Sequence, residues 1–134
     1  MFPRALAAPL HRHTREDEYS YVLKAAWVRC WATTSSRPAP ANLVFKPRNQ
    51  WHTFWNAGDE PCRILEIISP AGFEHFFHQL NDVGGALNAD PETLAQLNAR
   101  YGQQMRPDSV PELLERFGLQ IGEQLAGGRR PPAR

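Results

Sequence analysis

His11 and His13 stand two residues apart, so on an extended strand both imidazoles project from the same face. Glu18 follows after the charged turn Thr14-Arg15-Glu16-Asp17. His52 lies far along the chain in an alternating aromatic and polar stretch, with Phe54 and Asn56 on its face. If the strand bearing His52 lies opposite the one bearing His11 and His13, three nitrogens and one carboxylate converge. Such a mixed set suits a borderline divalent transition metal, with bonds near ~2.0–2.2 Å. The plainer alternative is that the His-x-His pair decorates an exposed strand and Glu18 is a solvated carboxylate. His75 and His78 flank Phe76 and Phe77, and read as polar edges of a packed helix.

The elements that must position these residues fall into zones: residues 1–70 read as β, 71–120 as helical, and 121–134 as a disordered tail. Cys62–Ser69 is the clearest strand, and the turn at Asn56-Ala57-Gly58-Asp59 should pair it with Trp51–Trp55 as a hairpin. Tyr19–Leu23 and Asn42–Lys46 are two further strands, and several short strands joined by turns suggest a sandwich or barrel. Beyond Pro70, residues Phe73, Phe76, Phe77 and Leu80 fall on one helical face. A second helix should start at Asp90 with Pro91 first inside it, and end at Gly102. A third should begin at Ser109, with Glu112 at capping-box spacing, and stop at Gly118. These helices are expected to pack on the barrel.

A chain of 134 residues with 42% apolar content and a net charge of +1 suits one globular domain. No basic stripe marks a nucleic-acid surface, and Arg129, Arg130 and Arg134 sit in a Gly/Pro-rich tail. Cys30 and Cys62 do not make a disulfide framework. The opening segment has no signal h-region, and no stretch approaches the ~20 apolar residues of a membrane span. A soluble cytoplasmic protein is expected, with a small-molecule substrate or ligand and neither nucleic acid nor membrane as partner.

PLHRHTREDEYSYVL resembles the first cupin motif, in which His-x-His is followed across a short gap by glutamate. PRNQWHTFWN resembles the second, with Pro47, His52 and Asn56 in place and Asn49 where glycine is usual; asparagine tolerates a left-handed turn well. The resemblance covers most of residues 9–120. It implies a mainly β protein, a cupin double-stranded β-helix or jelly-roll barrel, with C-terminal α-helices. It also implies one divalent metal (Fe, Mn, Ni, Cu or Zn) on His11, His13, Glu18 and His52, with Asn56 holding the turn. The activity it suggests is that of a quercetin-dioxygenase-like oxidoreductase acting on an enolic or phenolic substrate, with Glu18 also a catalytic base. A non-enzymatic binding cupin, or an isomerase- or cyclase-like accessory protein, is the alternative. Trp51, Phe54 and Trp55 are pocket aromatics or simple core packing. His11 is nearly terminal, whereas the family has a strand or more before its first motif. The barrel is therefore expected to lack an edge, or to have it covered by a second copy in a homodimer.

Residues 24–41 break the pattern, because cupins place glycine turns here and this chain has none before Gly58. Lys24-Ala25-Ala26-Trp27-Val28, taken as AAG GCC GCA TGG GTG with the frame moved by one base, can read Gly-Arg-Met-Gly. Carried to Ala41, the shifted frame can spell GRMGALLGDDVVEAGPG, an ordinary strand-and-turn connection. The bland reading of the break is ordinary divergence in a loop; the sharper expectation is a compensated frameshift over residues 24–41 that impairs the protein. Resequencing the gene should show one base lost near Lys24 and one gained near Asn42; an unambiguous frame encoding the present residues would refute it.

Overall fold

The computed structural model describes residues 1–24, 40–123 and 125, together with the main chain of 28–31. The tail beyond Leu125, the side chain of Cys30 and most of the stretch assigned to the frameshift lie outside the described residues. Nine strands and three helices appear among those described: β1 (Ala5–Leu6), β2 (Leu10–His13), β3 (Asp17–Lys24), β4 (Val28–Trp31), β5 (Leu43–Lys46), β6 (Thr53–Asn56), β7 (Arg63–Ser69), α1 (Glu74–Asp82), α2 (Pro91–Arg100), β8 (Gln103–Arg106), α3 (Ser109–Phe117) and β9 (Gln120–Ile121). The protein is thus mainly β with helices in its C-terminal half. The described strands form three small sheets, ordered β4-β6-β1-β9, β2-β8 and β5-β3-β7, where one closed barrel was expected.

β3 is the central strand of its sheet, antiparallel to both β5 and β7. Its alternation buries Glu18, Ser20 and Val22 and turns Tyr19 and Tyr21 outward. Tyr19 lies between Phe45 and Ile67, and Tyr21 between Leu43 and Leu65. Leu43, Phe45, Leu65 and Ile67 are each about half exposed, so the outer face of this sheet is an apolar patch.

The expected hairpin between Trp51–Trp55 and Cys62–Ser69 does not form. β6 pairs with β1 and β4, whereas β7 pairs with β3. Both edges of β6 are already paired, with β4 on one side and β1 on the other, so β7 finds its partner in β3. The fully buried amide of Asn56 holds the turn between β6 and β7, donating to the carbonyls of Phe2 (3.0 Å) and Glu60 (2.7 Å) and accepting from Gly58 N (3.0 Å). Asn49 does adopt the left-handed conformation (φ 65°), and its N–H donates to His13 O at 2.7 Å. That turn anchors the approach to β6 against β2.

A strand does precede His11: β1 is fully buried, pairs antiparallel with β6 and parallel with β9. The segment 71–120 is not wholly helical either. α2 begins as expected, with Asp90 accepting from Glu92 N and Thr93 N, and the chain turns at Gly102 (φ 64°) into β8. Ser109 forms no capping box. Its hydroxyl donates to Arg106 O (2.6 Å) and accepts from Leu10 N (2.9 Å), which ties the start of α3 to β2. α3 ends at Gly118 in the left-handed conformation.

Trp55 packs with Leu6, Val110, Leu113 and Leu125, stacked on Phe117 at 4.6 Å, so its indole belongs to the core. Phe73 and Phe76 are buried with Leu97, while Phe77 is 52% exposed although it shares their helical stripe. No described helix is long and apolar enough to cross a membrane.

Candidate metal centre

The period of two along β2 puts His11 and His13 on one face, both buried. A main-chain bridge, His11 N to His52 O (2.9 Å) and His52 N to His11 O (2.8 Å), sets His52 directly opposite His11. Glu18 arrives on the inward face of β3. The ring centroids of His11 and His52 are 4.3 Å apart, and those of His11 and His13 are 5.4 Å apart. One ligand atom from each of His11, His13, Glu18 and His52 lies within 4.8 Å of all the others. The structure therefore brings together all four residues singled out in the sequence. His75 and His78 are not among them; both are exposed on α1.

Hydrogen bonding decides which nitrogens are free. His11 Nδ1 donates to Pro9 O at 2.8 Å, and His52 Nδ1 donates to Gln50 O at 3.0 Å. Each bond places the ring proton on Nδ1 and leaves the Nε2 lone pair facing the cluster, as a metal-binding imidazole requires. His52 Nε2 is 3.2 Å from Glu18 Oε2, and His13 Nε2 is 3.0 Å from the same oxygen. The His13 contact lacks hydrogen-bond alignment, and neither His13 nitrogen has a hydrogen-bond partner. Lone pairs converging on one oxygen repel unless a proton or a cation stands among them. Orphaned, buried imidazole nitrogen and a nitrogen-rich donor set with one carboxylate fit a metal ion.

Burial, reinforced by repulsion from His52, lowers the pKa of His11 to about 3. Burial alone would raise Glu18, but the buried Lys46 ammonium that donates to it holds it well below the usual carboxylate range. Lys46 and Glu66 went unnoticed in the sequence. Lys46, directly across the ladder from Glu18, is buried and donates to Glu18 Oε1 and to Glu66 Oε2 (2.9 Å). Its ammonium also sits 4.6 Å above the Phe54 ring. Ser20 donates to the other oxygen of Glu66. Burial, against the pull of Lys46, pushes Glu66 up to about 7. Glu16, read as part of a charged turn, is buried with Oε2 3.8 Å from His13 Nδ1. Alternation along β5 would have placed Lys46 and Val44 on one face, but nothing in the sequence told which face was inward.

His11, His13 and Glu18 open onto a cavity of about 400 Å³, within the range of small-molecule sites. Phe54, Ile68, Phe73, Phe76 and Met105 are among the residues of its apolar wall. His52 is 1% exposed and is not on that wall. No family model matches the chain, and no curated protein matches it.

Because metal-free His11 binds fewer protons than the unfolded chain between pH 6.5 and about 3, it lowers stability as pH falls through that window. Urea unfolding of metal-free protein should show the wild type losing stability relative to His11→Gln as pH drops through this range. Parallel pH dependence of the two proteins would contradict the assignment.

Proposed function

We propose that this chain is a cupin that holds one divalent transition metal (Fe, Mn, Ni, Cu or Zn) through His11, His13, Glu18 and His52, and oxidises a small enolic or phenolic substrate with dioxygen. The observation that carries the reading is the convergence of three buried imidazoles and one buried carboxylate, of which His11, His13 and Glu18 border an apolar, ligand-sized cavity. A metal held there supplies Lewis acidity and, when redox-active, electron transfer. The chain's own groups set the conditions. Pro9 O and Gln50 O fix two imidazole tautomers, and Lys46 pins Glu18 Oε1 so that Oε2 alone faces the histidines. Phe54, Ile68, Phe73 and Phe76 exclude water and accept a flat apolar body.

Glu18 is expected in the ligand set, and its role as base is weakened by the same contacts that keep it ionised. A general base acts best when its pKa lies near the working pH. Glu66, pushed up to about 7 and also on the cavity wall, meets that condition better. We infer too that the apolar outer face of β5-β3-β7 seats a second copy, since an exposed apolar patch of this kind marks an interaction surface and its uncharged centre sets up no repulsion between two copies about a two-fold axis.

Protein loaded in turn with each metal should consume oxygen with at least one of a panel of flavonols and enolisable diketones. His52→Ala should abolish both uptake and stoichiometric metal by elemental analysis. Metal retention without uptake on any metal would instead favour a binding protein. Light scattering should give a dimer for wild type and a monomer for Phe45→Glu; a monomeric wild type would contradict the second-copy reading.

A further inference from the structure

β8 faces β2 in a register that sets Gln103 opposite His13 and Met105 opposite His11. Directly opposed residues of an antiparallel pair project from the same face, so Gln103 stands beside the ligand histidines. Gln103 is 6% exposed and lines the cavity, yet its side-chain oxygen is buried with no hydrogen-bond partner. Buried acceptors are almost always satisfied, because a bare one has lost its hydration and gained nothing. The wall nearby is aromatic. Phe73 meets the His13 ring edge-on at 4.4 Å and stacks with Phe76 at 4.8 Å. Phe77, half exposed, stands T-shaped to Phe73 at 5.3 Å.

We propose that Gln103 recognises the ligand of this centre: its Oε1 accepts a hydrogen bond from a hydroxyl on a small aromatic molecule that carries a second oxygen function on the adjacent ring position. The inference rests on the metal-dependent reading above and names the class of molecule it would take. The ring lies against the phenylalanines, one oxygen is directed to the histidine cluster, and the neighbouring hydroxyl satisfies Gln103. An ether in that position offers no proton and leaves the amide oxygen bare. Sites built around a hydrogen bond to a ligand hydroxyl reject analogues that lack it far more strongly than apolar pockets reject a change of size.

The test uses the full chain loaded with zinc, which has no redox chemistry, titrated calorimetrically with catechol and with 2-methoxyphenol. Wild type should bind catechol at least about tenfold more tightly than the ether. Gln103→Met should lose most of that preference while its zinc stoichiometry stays unchanged. A preference that survives in Gln103→Met reflects chelation alone and overturns the proposal, as does wild-type protein that holds zinc but binds no catechol. Thermal melting of metal-free protein gives an independent readout. Gln103→Met should melt at or above wild type, because an unsatisfied buried acceptor has been removed. A lower melting temperature would mark Gln103 as a structural residue and overturn the proposal. Failure of wild type to take up zinc would count against the metal reading instead, and the melting comparison would still decide the part played by Gln103.

Discussion

A carboxylate and three imidazoles buried together at the meeting of three small sheets are the constraint on which the rest of the structure turns. A buried ionised carboxylate is expensive unless paired, and converging lone pairs repel. Lys46 pairs with one oxygen of Glu18, and the other is left to the histidines. The outward hydrogen bonds of His11 and His52 remove the rings' own protons from the space between them. What remains is a pocket of electron-pair donors with too little positive charge of its own. Lys46 is shared between Glu18 and Glu66, and the cluster could hold a metal ion among its donors.

The fold reaches this arrangement through register more than through any single contact. Alternation on β2 aligns two histidines, a two-bond bridge brings the third across from them, and β3 supplies the carboxylate from a different sheet. Each step depends on a period of two, so a one-residue slip in β2 or β3 would turn its ligands to the opposite face. Asn49 and Asn56 guard against that slip. The first fixes the turn against His13, and the second pins the exit of β6 to the main chain near both Phe2 and Glu60. α3 reinforces β2 from outside through Ser109.

Sequence reading reached the four clustered residues because alternation aligned His11 with His13 and the resemblance to the two cupin motifs added Glu18 and His52. It also reached β3, β5, the Asp90 cap and the stop at Gly118, all of which depend on local chemistry. It failed wherever a distant partner decides. The Trp51–Trp55 and Cys62–Ser69 segments have hairpin-like spacing, but β1 and β4 occupy both edges of β6 and leave β7 to pair with β3. Gln103–Arg106 has no β-branched residue and becomes a strand only because β2 offers an edge. Lys46, Glu66 and Gln103 were invisible for a related reason: a polar residue on a short strand reads as solvated until the sheet's inward face is known. Phe77 shows the converse, an apolar residue on a helical stripe that the packing leaves half exposed.

X-ray absorption spectroscopy on stoichiometrically loaded protein tests the central claim most directly. The account predicts one metal per chain, with a first shell of nitrogen and oxygen near ~2.0–2.2 Å and the outer-shell scattering of three imidazoles. A shell of water and carboxylate oxygen without imidazole scattering would contradict it.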